Sequence, residues 1–178
     1  VTIYEQLRDE EKCAKLYNNI GIVYKSLASD FKALAYFVKA QKIQEQLADP
    51  NIGITYTNIA NAYLKQNNPE KAFEYYTKAK SALDQHPNPR ALGEWFNNVG
   101  LYFKSTQQPE KAVAHWNNAI QTFENIEDKF GVGDTYLLLG QLYLEQNKVQ
   151  QAIAFAEKAS ALAKSIKVLE QQVIAEKL

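Results

Sequence analysis

The sequence lacks several features that would have indicated a specific chemistry. Its 178 residues include one cysteine, two histidines and no methionine. A single cysteine, Cys13, excludes an intrachain disulfide bond and favours a reducing, cytoplasmic compartment. The residues around Cys13 are typical of the start of an amphipathic helix, so we interpret it as a packed thiol. Because no initiator methionine is present, we expect the sequence to be a piece excised from a longer protein.

Neither an excess of one charge nor a long apolar run is present. Lysine plus arginine and aspartate plus glutamate number 20 each, so the formal net charge is zero. Nucleic-acid binding needs a concentrated basic surface that displaces counterions, so we expect no nucleic-acid partner. No apolar run approaches the ~20 residues of a membrane span. Residues 1–7 also lack the basic start and apolar core of a signal peptide, and we expect no membrane association.

No pattern of catalytic or ligand-binding residues occurs either. His86 lies in a proline-rich turn and His115 on a predicted helix, and neither has a cysteine or histidine at metal-ligand spacing. The run Gly131-Val-Gly133 lacks the phosphate-binding pattern and a preceding strand, and it is more typical of a helix start that admits a neighbouring element. We therefore expect no enzymatic activity, no metal and no cofactor.

One segment occurs four times. Residues 17–24 read YNNIGIVY, and similar segments return at 56–63, 96–103 and 136–143. The small residues that mark the register, Gly21, Ala60, Gly100 and Gly140, are separated by 39, 40 and 40 residues. Self-similarity at a fixed period of this size predicts a repeat solenoid.

Each copy reads as two helices separated by helix-breaking residues. Apolar residues recur with a helical period, as at Tyr17, Ile20 and Tyr24. We predict helix starts at Asp49-Pro50, at Pro69, and at Asn88-Pro89, with an N-capping side chain or a proline in the first turn. The predicted core of the second helices includes Phe31, Phe37, Phe73, Tyr76 and Trp116. Trp95 is predicted at an edge or on a partner surface.

The recurring residues resemble the tetratricopeptide repeat. When the repeats are numbered from Ala14, Gly53, Gly93 and Gly133, each has a large aromatic at position 4, a small residue at 8 and an aromatic at 11. Alanine stands at positions 20 and 27, and Phe37, Tyr76 and Trp116 stand at position 24, where the fourth repeat has Ala156. The resemblance implies an all-α fold: an α-solenoid of antiparallel helix pairs in a right-handed superhelix.

The repeats are longer than the familiar 34 residues of this pattern. The extra length follows position 27, which predicts a second helix about a turn and a half longer. This long form is similar to repeats in kinesin light chain, in G-protein-signalling modulators and in bacterial signalling proteins. We expect one array with repeats near 14–52, 53–92, 93–132 and 133–167. Residues 1–8 are predicted to end a preceding helix, and 168–178 to form a cap or the first helix of a further repeat.

The resemblance implies a binding groove formed by the first helix of each repeat. At about 100° per residue, positions 5, 6, 9, 12 and 13 lie opposite the core-facing positions 4, 8 and 11. Asparagine at position 6 is implied to hold the backbone of a bound peptide, since its amide both donates and accepts hydrogen bonds. The predicted groove residues are Asn18, Asn19, Lys25, Asn58, Asn61, Lys65, Asn97, Asn98, Lys104, Leu137, Leu138 and Gln141.

Two hypotheses for function remain open. The first is a non-catalytic module that binds a peptide or helix of a protein partner, with polar or acidic character at one end of the ligand and apolar anchors at the other. The second is a spacer or dimerisation segment of a multidomain regulatory protein, with self-association through the terminal repeats. The apolar residues Leu137, Leu138 and Leu144 fit either a ligand or a further repeat packed against them.

Overall fold

A computed structural model describes the backbone of residues 9–175 and the side chains of residues 9–167. All regular secondary structure in this range is α-helical, as predicted for an all-α solenoid. The helices are α1 (Glu10–Ser26), α2 (Asp30–Leu47), α3 (Ile52–Lys65), α4 (Pro69–Gln85), α5 (Pro89–Ser105), α6 (Pro109–Glu124), α7 (Lys129–Glu145) and α8 (Val149–Ala175). The helix predicted to end near residue 8 lies outside the described residues.

Most of the turns between these helices share one backbone conformation. A residue with positive φ follows α1, α2, α3, α5, α6 and α7, and none of these residues is glycine. After α1, for example, Ala28 has a φ of 51°, and the Ser29 N–H donates to the Tyr24 carbonyl at 2.9 Å. This arrangement satisfies carbonyl groups that the helix end would otherwise leave unpaired. It reverses the chain within a few residues and so places consecutive helices side by side.

Two of the three predicted helix starts are confirmed. Helix α4 begins at Pro69 with Asn68 as N-cap, and α5 begins at Pro89, where Asn88 accepts a hydrogen bond from the Ala91 N–H at 3.0 Å. The prediction at Asp49-Pro50 is wrong, because α3 begins at Ile52.

Asp49 instead closes the turn between α2 and α3. Its carboxylate accepts hydrogen bonds from the Gln44 side chain at 3.0 Å and from the backbone N–H of Asn51 at 2.8 Å. Burial alone would raise the pKa of Asp49, but these hydrogen bonds outweigh it and hold the pKa below its usual range. A carboxylate occupied in this way is not free to cap the next helix.

The chain divides into two compact units, residues 1–91 and 92–178. In the first unit α1 packs on α2, α2 on α3, and α3 on α4. Ala33, Phe37 and Ile59 form a buried cluster that Tyr24 and Tyr63 partly cover. The predicted extension of the second helix is present, since α2 continues from Ala40 at position 27 to Leu47.

The second unit is built around Trp116. Its side chain is fully buried on α6 beside Ala112, and Leu139 and Leu142 of α7 complete the cluster. The indole Nε1 donates to the Asn97 carbonyl of α5 at 3.1 Å, so the buried polar atom is satisfied. One side chain therefore connects three helices.

Three predicted positions of aromatic residues were wrong. Phe31 and Phe73 were assigned to the core, but they are 78% and 48% exposed. Phe31 lies two residues from the buried Ala33, about 200° around the helix, so it cannot share that face. Trp95 was predicted at an edge or on a partner surface, but it is 8% exposed and packs edge-on against Phe96.

The last helix is continuous through the predicted repeat boundary. Helix α8 extends from Val149 to Ala175, so residues 168–175 lengthen it and do not start a separate helix. No glycine or proline occurs after residue 140, and nothing in this stretch would interrupt a helix. Residues 176–178 lie outside the described range.

Candidate partner-binding surface

The predicted groove residues lie on the first helices α1, α3, α5 and α7. In the first unit, several of the amides bind other side chains. Asn58 donates to Asn18 Oδ1 at 3.3 Å, which links α3 to α1. Asn61 Oδ1 accepts from the hydroxyl of the buried Tyr76 at 2.6 Å. Asn19 is exposed and makes no hydrogen bond within the described part of the chain.

In the second unit, the two adjacent asparagines of α5 differ in role. The side-chain oxygen of Asn97 accepts from the Thr135 hydroxyl of α7 at 3.0 Å, and its backbone carbonyl accepts from the Trp116 indole N–H. Asn98 donates to the Glu94 carbonyl one turn earlier, at 2.7 Å, and is half-buried. Asn97 therefore joins helices, whereas within the described residues the side chain of Asn98 bonds in its own helix.

The lysines of the predicted groove differ in whether an acidic side chain pairs with them. Lys25 and Lys65 are exposed and have no acidic partner within the described residues. Lys104 forms a 2.7 Å ion pair with Glu145 of α7, and its side chain is 21% exposed. Among the lysines of the predicted groove, those without an acidic partner are thus in the first unit.

The apolar residues of α7 divide between packing and exposure. Leu138 packs against the Trp116 cluster, whereas Leu137 is 56% exposed and Leu144 is 59% exposed. Gln141 lies exposed between them. The α7 sequence is apolar on nearly all sides, which is typical of a helix covered from more than one direction.

Sequence reasoning missed one recurring aromatic position. Position 23 holds Tyr36, Tyr75, His115 and Phe155. In each repeat this ring contacts those at positions 4 and 11; the Tyr75 centroid, for example, lies 6.0 Å from Tyr56 and 5.5 Å from Tyr63. Lysine ammonium groups lie over the position-23 rings of three repeats, at 5.1 Å for Lys39, 4.7 Å for Lys78 and 5.0 Å for Lys158. The 40-residue recurrence of an aromatic at this position was the signal that could have identified it.

His115 has the role of a packed ring. It stacks on Phe103 with centroids 5.1 Å apart and lies edge-on to Trp95 at 5.9 Å. Burial lowers the pKa of His115, which favours the neutral ring. Within residues 9–167, no group of three His, Cys, Asp or Glu side chains is placed to hold a metal ion. Between residues 9 and 175, no helix is both long enough and apolar enough to cross a membrane.

Tyr56 connects the first two repeats, and its ionisation should lower their stability at alkaline pH. Its hydroxyl donates to Glu45 Oε1 at 3.0 Å. Burial, and then this hydrogen bond, raise the pKa of Tyr56 from 10.0 to about 12. Because the folded pKa is the higher one, the contribution of Tyr56 to stability is complete below pH 10 and is lost between pH 10 and about 12.

We expect Tyr56→Phe to lower the free energy of unfolding by about 0.5–1.5 kcal/mol at neutral pH, the usual net value of a hydrogen bond. The variant should also lose less stability than the parent between pH 10 and 12, as measured by urea unfolding. Tyr143→Phe is the control, because that hydroxyl bonds no acid within the described residues. Equal pH profiles for Tyr56→Phe and the parent would contradict the assignment.

The sequence matches a known family and several known proteins. A sequence model of the tetratricopeptide repeat family matches residues 3–85 and 92–165. The chain is 22% identical to the regulatory protein RapK of Bacillus subtilis (strain 168) over 156 residues, which are 86% of this chain and 42% of RapK. It is 27% identical to the intraflagellar transport protein 88 homolog of Homo sapiens over 131 residues, which are 68% of this chain and 16% of that protein.

Solved structures share the fold. A Rap protein complexed with competence and sporulation factor superposes with a TM-score of 0.83 at 18% identity, over 90% of this chain and 45% of that one. Aspartyl phosphate phosphatase F from Bacillus subtilis superposes with a TM-score of 0.77 at 20% identity, over 89% of this chain and 42% of that one. The chain thus spans less than half the length of these relatives. Since the family match extends over most of its length, the chain belongs to the tetratricopeptide repeat family.

Proposed function

We propose that the chain is a protein-interaction module whose first helices bind a peptide or helical segment of a partner. The observation that carries the proposal is the asparagine at position 6 of three repeats, Asn19, Asn58 and Asn98. Asn19 is exposed without a partner in the described chain, and Asn58 uses one donor of its amide on Asn18. Each amide has two donors and an acceptor oxygen, so all three retain capacity for a ligand backbone.

Charge supports a partner with acidic or polar character on the first unit. Lys25 and Lys65 have no acidic partner among the described residues, whereas Lys104 is neutralised by Glu145. An exposed lysine contributes mainly to the rate and selectivity of association, not to large affinity. The lysines therefore favour a ligand with negative charge, and the asparagines hold its backbone.

Relatives support a binding role without identifying the ligand. RapK is a regulatory protein, and the structural relative with the TM-score of 0.83 is complexed with competence and sporulation factor. Tetratricopeptide repeats present an extended surface because each repeat contacts only its neighbours. A surface of this kind suits a linear ligand.

The proposal is tested with peptides selected on the immobilised chain from a phage-displayed library of linear peptides. Calorimetry then compares the parent with the triple variant Asn19→Ala, Asn58→Ala, Asn98→Ala. We expect the triple variant to bind at least about tenfold more weakly, which corresponds to about 1.4 kcal/mol. Circular dichroism should show unchanged helicity, because Asn19 is exposed, Asn98 bonds a carbonyl of its own helix, and Asn58 loses one side-chain hydrogen bond, to Asn18.

A matched control uses exposed asparagines of a second helix. Asn117 and Asn118 on α6 are both exposed, and their replacement by alanine should leave the affinity unchanged. If the first-helix variant keeps its affinity, or if the control variant loses as much, the asparagine face is not the binding surface.

A further inference from the structure

The third repeat has a histidine where the other repeats have a tyrosine or a phenylalanine. Position 23 holds Tyr36, Tyr75 and Phe155 in those repeats and His115 in the third. The ordinary pKa of histidine lies near neutrality, whereas tyrosine ionises near pH 10 and phenylalanine does not ionise. The third repeat therefore places, at a position of ring packing, a side chain that can take up a proton in mild acid.

Aromatic rings of α5 enclose this imidazole. Phe103 stacks on it with centroids 5.1 Å apart, while Trp95 lies edge-on and Phe96 tilted, each at 5.9 Å. None of the three rings carries an atom that accepts a hydrogen bond as an oxygen does. The Nδ1 atom of His115 is buried and has no hydrogen-bond partner within the described residues. The site thus suits a neutral ring.

Protonation would place an N–H donor and a charge where neither has a partner. A neutral imidazole can leave Nδ1 without a proton, but the imidazolium carries an N–H at both nitrogens. A buried N–H without an acceptor costs free energy, and a buried charge without a partner costs more. Burial accordingly lowers the pKa of His115.

The charged side chains of the two packed helices do not compensate for this burial. Lys111 lies one turn before His115 on α6, and its ammonium is 5.3 Å from the Phe103 centroid, but lysine only donates hydrogen bonds. The charged residues of α5 and α6 are Arg90, Glu94, Lys104, Glu110, Lys111 and Glu124. Burial is the cause of the lowered pKa of His115, and no carboxylate among them raises it.

We propose that His115 makes the second unit sensitive to mild acid, because protonation of its ring separates α6 from α5 while the first unit keeps its fold. The other histidine of the chain, His86, belongs to the first unit and is exposed, so a charge there remains in water. This inference concerns stability and needs no ligand, so it is independent of the asparagine surface.

The direction of the pH dependence follows from the lowered pKa. In mild acid the unfolded chain takes up a proton at His115 that the folded unit does not accept. The stability that the neutral ring contributes is therefore complete above the ordinary pKa of 6.5 and is lost as the pH falls from there through the folded pKa.

Tryptophan fluorescence during urea unfolding tests the proposal, because the chain's two tryptophans, Trp95 and Trp116, both lie in the second unit. Unfolding is compared about one pH unit above and about one pH unit below 6.5. We expect the unfolding equilibrium constant of the parent to rise about two- to tenfold at the lower pH, tenfold being the limit for one proton.

Two variants identify the group responsible. His115→Phe introduces the residue of the fourth repeat at this position and should remove most of the rise. His86→Asn is the control, because that ring is exposed, and it should keep the rise of the parent.

Proton nuclear magnetic resonance supplies a measurement that leaves the ring packing unchanged. In His86→Asn protein the remaining imidazole Cε1–H signal belongs to His115, and we expect its titration midpoint in the folded chain below 6.5.

Two results would overturn the proposal. One is a His115→Phe protein whose second unit loses as much stability in acid as that of the parent. The other is a Cε1–H midpoint at or above 6.5, which would mean that the ring takes up its proton without disturbing the packing of α5 and α6.

Discussion

Trp116→Ala is expected to lower the free energy of unfolding by about 3–5 kcal/mol, the range for removing a large buried aromatic. The side chain is fully buried and packs against Leu139 and Leu142 of the next helix. Its removal also leaves the Asn97 carbonyl without the indole donor. The lost stability comes from the contact between α5, α6 and α7, which is the junction of the third and fourth repeats.

Urea unfolding followed by far-ultraviolet circular dichroism measures this effect. Phe31→Ala is the control, because it also removes an aromatic ring from a repeat's second helix, but one that is 78% exposed. Such a surface substitution should change the stability by no more than about 0.5 kcal/mol. Equal unfolding midpoints for the two variants would show that Trp116 is not the centre of this core.

Gly100→Ala should destabilise the chain by about 1–3 kcal/mol, whereas Gly140→Ala should not. Both glycines occupy position 8 of a repeat and lie within a helix. A Cβ on Gly100 would lie 2.5 Å from Cδ1 of Trp116, a ring that is fully buried and cannot move aside. A Cβ on Gly140 would find its nearest atom, the Ala152 carbonyl oxygen, at an ordinary 3.5 Å. Alanine should stabilise helix α7 there by up to about 1 kcal/mol.

The cause of this difference lies at position 24, and a double-mutant cycle tests it. Trp116 stands there in the third repeat and Ala156 in the fourth. If the clash is with Trp116, Gly100→Ala should be harmless in a Trp116→Ala background, because the space is then open. A destabilisation of the same size in both backgrounds would mean that another contact requires the glycine.

The helical architecture was predictable because each repeat carries the same pattern of small and aromatic residues. Because the pattern occurs four times at a nearly constant spacing, each copy supports the interpretation of the others. The predicted core positions of Ala33 and Ala112 are therefore confirmed. Phe31 and Phe73 are apolar, but their angles on the helix turn them away from the buried Ala33 and Ala72, which hydrophobicity alone does not show. The Asp49 cap failed because its carboxylate binds Gln44, a residue of the preceding helix, and sequence alone does not show which of two helix ends an aspartate serves.

The candidate site was less predictable because asparagine suits both binding and packing. Adjacent residues of α5 illustrate the difficulty: Asn97 joins two helices, while Asn98 bonds within its own. Leucine is equally ambiguous. Leu138 packs in the core cluster, whereas its neighbour Leu137 is exposed. Residues one step apart on a helix differ by about 100° in direction, and only packed coordinates show which direction is covered.

The binding role of the first-helix asparagines is tested most directly by nuclear magnetic resonance of the side-chain amides. A selected peptide is titrated into the uniformly ¹⁵N-labelled chain, with the amide signals of Asn19, Asn58 and Asn98 assigned from single alanine variants. We expect these three signals to shift with the affinity measured by calorimetry, while those of Asn117 and Asn118 stay in place. Shifts confined to the second helices, around the rings of Tyr36 and Tyr75, would contradict the proposed function.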